Sequence, residues 1–109
     1  MKLKGKSKYN AQKVEYGDFT FDSKKEYDRY RELLLLQRAG KIEELQVKPT
    51  RYYMNLNSVR ICSYTPDFEY NDTETGEHVV EDVKGMRTDV YKLKKKMMKA
   101  FHGIEIKET

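Results

Sequence analysis

Residues 64–84 read YTPDFEYNDTETGEHVVEDVK, and this stretch decides the fold prediction. Two runs rich in aromatic and β-branched residues flank the polar segment NDTETGEH, which is typical of two strands joined by a loop. Asp67 lies on the first strand, and Asp82 and Lys84 lie two positions apart on the second. Because side chains alternate along a strand, Asp82 and Lys84 should share one face of the sheet, while Glu81 faces the other way.

Local signals outward from these strands predict the remaining elements. Ser23 and Glu26 have the spacing of a capping box, so a first helix should begin there and run to Ala39. Thr88 should cap a second helix that ends near Gly103. Extended segments are predicted over residues 13–21 (a hairpin), 42–47, 51–56, 59–70 (interrupted or bulged near Pro66), 79–84 and 104–107. We therefore predict an α/β fold with the order hairpin, helix, three strands, helix, strand, and a central mixed sheet flanked by helices.

Length and composition bound the organisation of the chain. Its 109 residues suit one domain, which we assign to residues 13–109, behind a flexible basic arm over residues 1–12. Cys62 is the sole cysteine, which excludes an internal disulfide and favours a reducing cytoplasm. No apolar run approaches the roughly 20 residues of a membrane span, and no apolar segment follows the basic N-terminus. We therefore expect a cytoplasmic protein without a membrane partner.

The net charge of +4 is unevenly distributed. One basic block precedes the first acid, Glu15, and a second lies on the predicted second helix. Two basic blocks around an acidic middle suit a polyanionic partner, although solvated surface explains either block alone. The residues that we expect to contact nucleic-acid phosphates are Lys6, Lys8, Lys92, Lys95, Lys96 and Lys99. The last four recur on one helix face, and the opposite face should form a core stripe of Val90, Leu93, Met97 and Phe101.

Asp67, Asp82 and Lys84 form the pattern that carries chemistry. The connection between their strands can bring the two carboxylates side by side, with the lysine on the same patch. Oxygen ligands of this kind hold Mg²⁺, or Mn²⁺ in its place, and a metal-activated water with a nearby lysine suits phosphodiester hydrolysis. The alternative is structural: two polar residues at strand ends, with Lys84 as the salt-bridge partner of Asp82.

The pattern Pro66-Asp67 followed by Asp82-Val83-Lys84 resembles the PD-(D/E)xK signature of the restriction-endonuclease-like nuclease superfamily. More closely, the runs KYNA (residues 8–11), FDSKKE (21–26) and EDVKG (81–85) resemble a small phage and prophage family placed in that superfamily and often described as Holliday-junction-resolvase-like. The resemblance implies a restriction-endonuclease-like core.

The resemblance also implies roles for individual residues. Asp67 and Asp82 would bind the metal, the Val83 carbonyl group would complete the site, and Lys84 would be the catalytic lysine. It implies an acid on the first helix as well, and Glu26 fits, although a glutamate at this position of a capping box already has a structural role. Glu81 directly precedes Asp82, but only Asp82 has the spacing to Lys84 that the signature requires.

The function expected from residues and resemblance together is a metal-dependent endonuclease acting on branched DNA, such as Holliday junctions in phage recombination or replication. Two alternatives stay open: a nicking or flap-cutting nuclease of the same fold, and a DNA-binding module without catalysis. Tyr91 and Lys94 either frame the site from the second helix or serve packing and solvation.

Four consecutive leucines, residues 33–36, cover all sides of the first helix. A helix on one sheet buries only a stripe, so at least one of these leucines should remain exposed. Beside Tyr27, Tyr30 or the hairpin aromatics Tyr16 and Phe19 it could form the interface of a two-fold homodimer, which would suit two symmetric cuts in a junction. The alternative is that the surplus leucine packs under the N-terminal hairpin.

Overall fold

The computed structural model describes residues 13–16, 19–84 and 87–109. The predicted basic arm over residues 1–12, which includes Lys6 and Lys8, lies outside the described residues. In the described part, the elements in chain order are β1 (Val14–Tyr16), β2 (Phe19–Phe21), α1 (Lys24–Arg38), β3 (Ile42–Val47), β4 (Tyr52–Leu56), β5 (Val59–Tyr64), β6 (Phe68–Asp72), β7 (His78–Asp82), α2 (Asp89–His102) and β8 (Lys107–Glu108).

Four strands form a mixed central sheet in the order β3-β6-β7-β8. β3, β6 and β7 pair antiparallel, whereas β8 pairs parallel with β7. Because α1 precedes the first three of these strands and α2 lies before the fourth, the predicted order of helix, three strands, helix and strand holds for the central sheet. β8 covers only Lys107–Glu108, so the closing strand predicted over residues 104–107 is shorter and lies further along the chain.

The interruption predicted near Pro66 is confirmed, but the prediction of one strand over residues 59–70 is wrong. The segments on its two sides, β5 and β6, belong to different sheets. Pro66 is buried between them, and proline cannot donate a hydrogen bond to a strand ladder. β5 pairs instead with β4 in a separate antiparallel hairpin, whose turn residues Asn57 and Ser58 both have positive φ, as a tight two-residue hairpin turn requires.

α1 begins with the capping contact that the sequence predicts. Ser23 Oγ accepts a hydrogen bond from the Glu26 N–H at 3.1 Å, and the Glu26 carboxylate accepts one from the Asp22 N–H at 2.6 Å. The helix buries Glu26, Tyr30 and Leu33, which lie on one stripe at i, i+4 and i+7. The apolar members of this stripe form a core cluster with Phe21, Ile42, Phe68 and Tyr70.

The core stripe predicted for the second helix is wrong. Three of its four members are exposed: Val90, Leu93 and Phe101. α2 instead buries Tyr91 and Met98, which are also seven positions apart, so helical periodicity could not choose between the two stripes. Tertiary contacts determine which stripe is buried, because the side of α2 with Tyr91 and Met98 packs against Met54, Tyr64, Val80 and Ile106.

The central sheet divides the core into two clusters. Val79 and Val80, neighbours on β7, contact different clusters because successive side chains of a strand point to opposite faces. α1 covers one face, and α2 with the β4–β5 hairpin covers the other. Within the part of the chain that the structure describes, no helix has the length and apolar character needed to cross a membrane.

Candidate active site

β6 and β7 bring the two predicted acids to the same end of the sheet. Their ladder pairs Phe68 with Glu81, and the Asp67 N–H donates to the Glu81 carbonyl oxygen at 3.1 Å. One further step along the antiparallel ladder sets Asp67 opposite Asp82, and residues opposite each other share a face. The carboxylates of Asp67 and Asp82 therefore lie on one side of the sheet.

The Asp67 carboxylate lies among other acids. Its Oδ2 accepts a hydrogen bond from the Val83 N–H at 2.8 Å. Burial, hydrogen bonding with Glu26 and the negative charge of Asp82 together raise the pKa of the Asp67 carboxyl group far above its ordinary range. Three carboxyl groups crowded in this way favour a cation, or a proton, held among them. The role of the Val83 carbonyl group stays a prediction.

Asp82 is almost fully buried, and each of its carboxylate oxygens has a partner. Oδ1 lies 3.1 Å from Lys84 Nζ, and Oδ2 accepts a hydrogen bond from the hydroxyl group of Tyr64. Burial and this hydrogen bond raise the pKa of Tyr64, so the hydroxyl group keeps its proton and remains a donor. Because Tyr64 is the last residue of β5, it connects the β4–β5 hairpin directly to the site.

Further contacts hold Lys84 in place. Its Nζ lies 4.0 Å from the centroid of the Tyr91 ring, a cation–π contact, and the Tyr91 hydroxyl group donates to Glu108 Oε2 at 2.8 Å. The Lys84 backbone N–H donates to the Thr109 carbonyl oxygen at 3.1 Å, and Lys25 Nζ donates to the Lys84 carbonyl oxygen at 2.8 Å. The ammonium group of Lys84 is thus held between Asp82 and Tyr91, while Thr109 and Lys25 hold the backbone of the same residue.

Glu26 enters the site from the first turn of α1. Lys48 Nζ lies 3.5 Å from Glu26 Oε2 and 3.4 Å from Asp22 Oδ2, and the Lys48 N–H donates to the Asp67 carbonyl oxygen at 2.9 Å. Burial favours the neutral amine of Lys48, but the charges of Glu26, Asp22 and Asp67 outweigh it and raise the pKa of Lys48. Glu26 therefore combines its capping contact with a position beside Asp67, so the two roles considered for it are compatible.

Glu81 faces the opposite side of the sheet from Asp82, as strand alternation predicts. Its carboxylate receives hydrogen bonds from Arg29 at 2.6 and 3.1 Å, from the Tyr70 hydroxyl group at 2.6 Å and from Thr109 Oγ1 at 2.9 Å. Burial disfavours the charged form of Glu81, but these donors more than offset it and hold the pKa of Glu81 below its ordinary value. The ambiguity between the adjacent acids is thereby resolved, because Glu81 belongs to a structural ion pair.

The oxygen ligands at this site fit a hard divalent cation. No group of three or more His, Cys, Asp or Glu side chains forms a closed metal cluster in residues 13–16, 19–84 and 87–109. Mg²⁺, however, usually keeps several waters and binds through one or two carboxylates, which Asp67 and Asp82 supply on one face. Mn²⁺ accepts the same oxygen ligands. The nearby acids that raise the pKa of Asp67 would repel one another less with such a cation bound between them.

The four lysines of α2 that were expected to face nucleic acid share one cavity of about 350 Å³. Its charged lining residues are Arg87, Lys92, Lys95, Lys96, Lys99, Glu105 and Glu108. Glu108 is already paired, with Lys95 at 2.9 Å and with Arg87 at 3.0 Å. Five cationic groups against two acids leave the cavity positively charged, which suits an anionic ligand.

Sequence reasoning missed Lys48 and Tyr64, and it left the role of Tyr91 open. No local pattern distinguishes Tyr64 from the other eight tyrosines of the chain. Its contact with Asp82 depends on the path of the β4–β5 hairpin, and that of Lys48 depends on how β3 leaves the sheet. The available signals were the position of Lys48 directly after the strand predicted over residues 42–47 and that of Tyr64 two residues before Pro66.

Comparison with known proteins identifies a family. The family model described as "Protein of unknown function (DUF1064)" matches residues 6–108, a range that includes all the candidate site residues. No curated protein matches the chain, and no solved structure matches it. Because the matched range spans nearly the whole sequence, the chain belongs to the family described as Protein of unknown function (DUF1064).

Proposed function

We propose that the protein is a Mg²⁺-dependent endonuclease that hydrolyses phosphodiester bonds of branched DNA, such as Holliday junctions in phage recombination or replication. The observation that carries the proposal is the convergence of Asp67, Asp82 and Lys84 on one face at the end of β6 and β7. Two carboxylates for a divalent cation and an adjacent ammonium group are the side chains that metal-assisted phosphodiester hydrolysis uses.

Each side chain has a distinct part in this proposal. Asp67 and Asp82 hold the metal, with the Val83 carbonyl group as a further ligand. When bound, the metal polarises the phosphoryl oxygen and lowers the pKa of a bound water. Lys84 orients the attacking water or neutralises the charge that develops on the phosphate, and Glu26 supports the site.

Two tyrosines supply the preorganisation that such a site needs. Tyr64 holds one oxygen of Asp82 and leaves the other towards Lys84, while the ring of Tyr91 limits where the Lys84 ammonium group can move. Groups fixed before the substrate arrives need no reorganisation during the reaction, which is how fixed charges contribute most to catalysis. Both tyrosines are buried, which excludes water from that side of the site.

A restriction-endonuclease-like core is part of the same proposal. The order of helix, three strands, helix and strand around the central sheet supports it, and the β4–β5 hairpin is then an insertion between the first two of those strands. If the protein is phage-encoded, it acts in the cytoplasm of the bacterial host cell.

The cavity beside α2 supplies the phosphate contacts of the proposal. Lys95 and Arg87 reach this cavity from the element that carries Tyr91 and from the segment before it. Contacts to backbone phosphates position DNA without reading its sequence, so this surface would set affinity and register but not base preference.

Two alternative functions use the same fold. A nicking or flap-cutting nuclease would keep the site and differ in its substrate. A DNA-binding module without catalysis would keep the basic cavity, but it gives no reason to crowd Glu26, Asp67 and Asp82 where the negative charge of DNA would be repelled.

The test is a cleavage panel. Purified protein is incubated with four-way junction, flap, nicked and linear duplex DNA, with Mg²⁺ and with EDTA. We expect Mg²⁺-dependent cleavage of the four-way junction, and faster cleavage of it than of the other DNAs. Cleavage of nicked or flap DNA alone would favour the first alternative, and tight binding to all DNAs without any Mg²⁺-dependent cut would favour the second.

A further inference from the structure

The β4–β5 hairpin carries a strongly apolar surface. Leu56 and Val59 flank its turn, pair with each other and are 56% and 58% exposed. Ile61 and Tyr53 are also exposed. The turn between them is tight, with φ values of 52° and 64° at the two central residues. We call residues 56–59 the hairpin tip. Large side chains at an exposed tip add nothing to the core, so they need another explanation.

The charge of the hairpin is one-sided. Residues 51–64 contain two arginines and no acid, although the chain as a whole has 18 acidic residues. The guanidinium group of Arg60 lies 3.9 Å from the centroid of the Tyr53 ring, so a cation and an aromatic ring are stacked on the same strand pair. Apolar side chains, an aromatic ring and positive charge without acids are the features with which proteins contact unpaired bases.

The base of the hairpin is tied to the candidate active site. The hydroxyl group of Tyr64, at the end of β5, donates to Asp82, and the ring of Tyr52 at the start of β4 packs against His102 of α2 at 5.5 Å between centroids. Val59 lies five residues from Tyr64, so an extended strand sets the tip about 17 Å from the site. This is on the order of five nucleotides of stacked DNA.

We propose that the hairpin tip is a wedge that inserts Leu56 and Val59 against unpaired or unstacked bases at a DNA branch, with Tyr53 and Arg60 as a stacking surface beside it. Proteins that distort DNA insert leucine and similar side chains between bases in this way. This inference rests on the proposed nuclease function. The wedge would explain how a small nuclease selects branched DNA over linear duplex.

A second copy of the chain is the competing occupant of this surface. A self-associating hairpin would pack two positively charged surfaces that contain no acid against each other, and like charges disfavour that arrangement. A nucleic acid neutralises the two arginines of the hairpin, so charge complementarity favours DNA.

The test measures binding in EDTA, so that it does not depend on cleavage. Leu56→Ala/Val59→Ala is compared with Val90→Ala/Leu93→Ala, a control pair on α2 that is equally exposed, at 63% and 59%. The probes are a forked DNA with 2-aminopurine at the first unpaired position and the corresponding blunt duplex. We expect the hairpin variant to lose about tenfold in affinity for the fork, the scale of one lost base contact, and less than twofold for the duplex. The control pair should bind both DNAs as the wild type does.

A second variant tests the wedge by gain of signal. Leu56→Trp should show tryptophan quenching with forked DNA but not with duplex, because an indole ring stacks on an accessible base. Unchanged fork affinity in the alanine variant, an equal loss on both probes, or a change in molar mass by light scattering would overturn the proposal. Failure of the proposed function would look different: no Mg²⁺-dependent cleavage by the wild type, with the fork-specific effect retained.

Discussion

Lys84 Nζ lies 3.1 Å from Asp82 Oδ1, across a single intervening residue at the end of β7. The contact requires both side chains to project from the same face, which strand alternation predicts for positions two apart. Glu81, one position earlier, faces the opposite side and is paired with Arg29. This division assigns one acid to the candidate site and its neighbour to the stability of the fold, and the two assignments can be tested separately.

Replacing Asp67 by Asn should stabilise the metal-free protein. Because burial and nearby acids raise the pKa of Asp67 in the fold, its ionisation destabilises the folded state. Wild-type stability should therefore fall as pH rises above the ordinary aspartate pKa of about 3.9. An asparagine can still accept from Val83 and donate to Glu26, without the charge. Thermal melting in EDTA at pH 8 should show a higher Tm in Asp67→Asn by several degrees, since about 1 kcal/mol corresponds to roughly 4–8 °C.

The same variant should lose cleavage, because an amide is a poorer ligand for a hard divalent cation than a carboxylate. The melting comparison repeated near pH 4 is the internal control, because the unfolded chain gains much less there from ionising Asp67, and the two Tm values should converge. A Tm for Asp67→Asn below that of the wild type at pH 8 would contradict the claim that burial and nearby acids make ionisation of Asp67 unfavourable.

Arg29→Met should destabilise the fold by about 3–5 kcal/mol, because it leaves Glu81 buried without its charged partner. Urea denaturation measures the loss, and Arg29→Met/Glu81→Met should recover much of it, since both charges are then absent. Lys24→Ala, which breaks the exposed pair with Asp28, is the matched control and should change little. Since the pKa of Glu81 is lowered in the fold, its contribution is present above about pH 4.5 and is lost as pH falls below that. An unchanged midpoint in the single variant would rule out this role for Glu81.

Neutralising the cavity beside α2 should weaken DNA binding and reduce its salt dependence. Lys95 is held by the largely buried carboxylate of Glu108, whereas Lys99 has only an exposed pair with Glu105 at 3.7 Å, so the lysines available to phosphates are better represented by Lys92, Lys96 and Lys99. Changing these three to glutamine should lower the slope of log K against log salt by about 2.7 on duplex DNA, at roughly 0.9 per contact. Fluorescence anisotropy over a salt series measures the slope. If the slope stays the same, this face of α2 points away from the DNA.

The predicted homodimer can be tested by replacing the exposed Leu35 of α1. The expectation that at least one of the four leucines stays exposed is confirmed, since Leu35 is 62% exposed and lines a cavity of about 360 Å³ with Tyr16 and Tyr27. Light scattering at micromolar concentration should give the mass of a dimer for the wild type and of a monomer for Leu35→Glu. A wild-type monomer, both free and bound to a junction, would exclude paired cutting by a stable dimer and would favour the nicking or flap-cutting alternative.

The parts of the fold that the sequence predicted depend on local chemistry. Ser23 and Glu26 form the predicted cap, because capping acts within a few residues. The shared face of Asp82 and Lys84 follows from alternation along one strand. These features can be predicted without knowing which residues pack against them.

The features that the sequence did not predict depend on distant partners. α2 offers two stripes of similar spacing, and the buried one is determined by Met54 of β4, Tyr64 of β5 and Val80 of β7, which share a core cluster with Tyr91 and Met98. The same holds at the site: Tyr64 reaches Asp82 only because the chain turns at Pro66 and sends β5 into a separate hairpin. Periodicity within one segment contains no information about such contacts.

The most direct test of the central claim is Lys84→Ala assayed for both cleavage and binding. Lys84 is one cation among many, so DNA affinity in EDTA should change little, whereas single-turnover cleavage of a junction with Mg²⁺ should fall by at least about 10²-fold, as when one charge-stabilising group is removed from an active site. Lys24→Ala, a lysine that is 79% exposed on α1, is the control and should cleave as the wild type does. A catalytic Lys84 predicts loss of cleavage with retained binding, and wild-type cleavage by Lys84→Ala would rule out a catalytic role for this lysine.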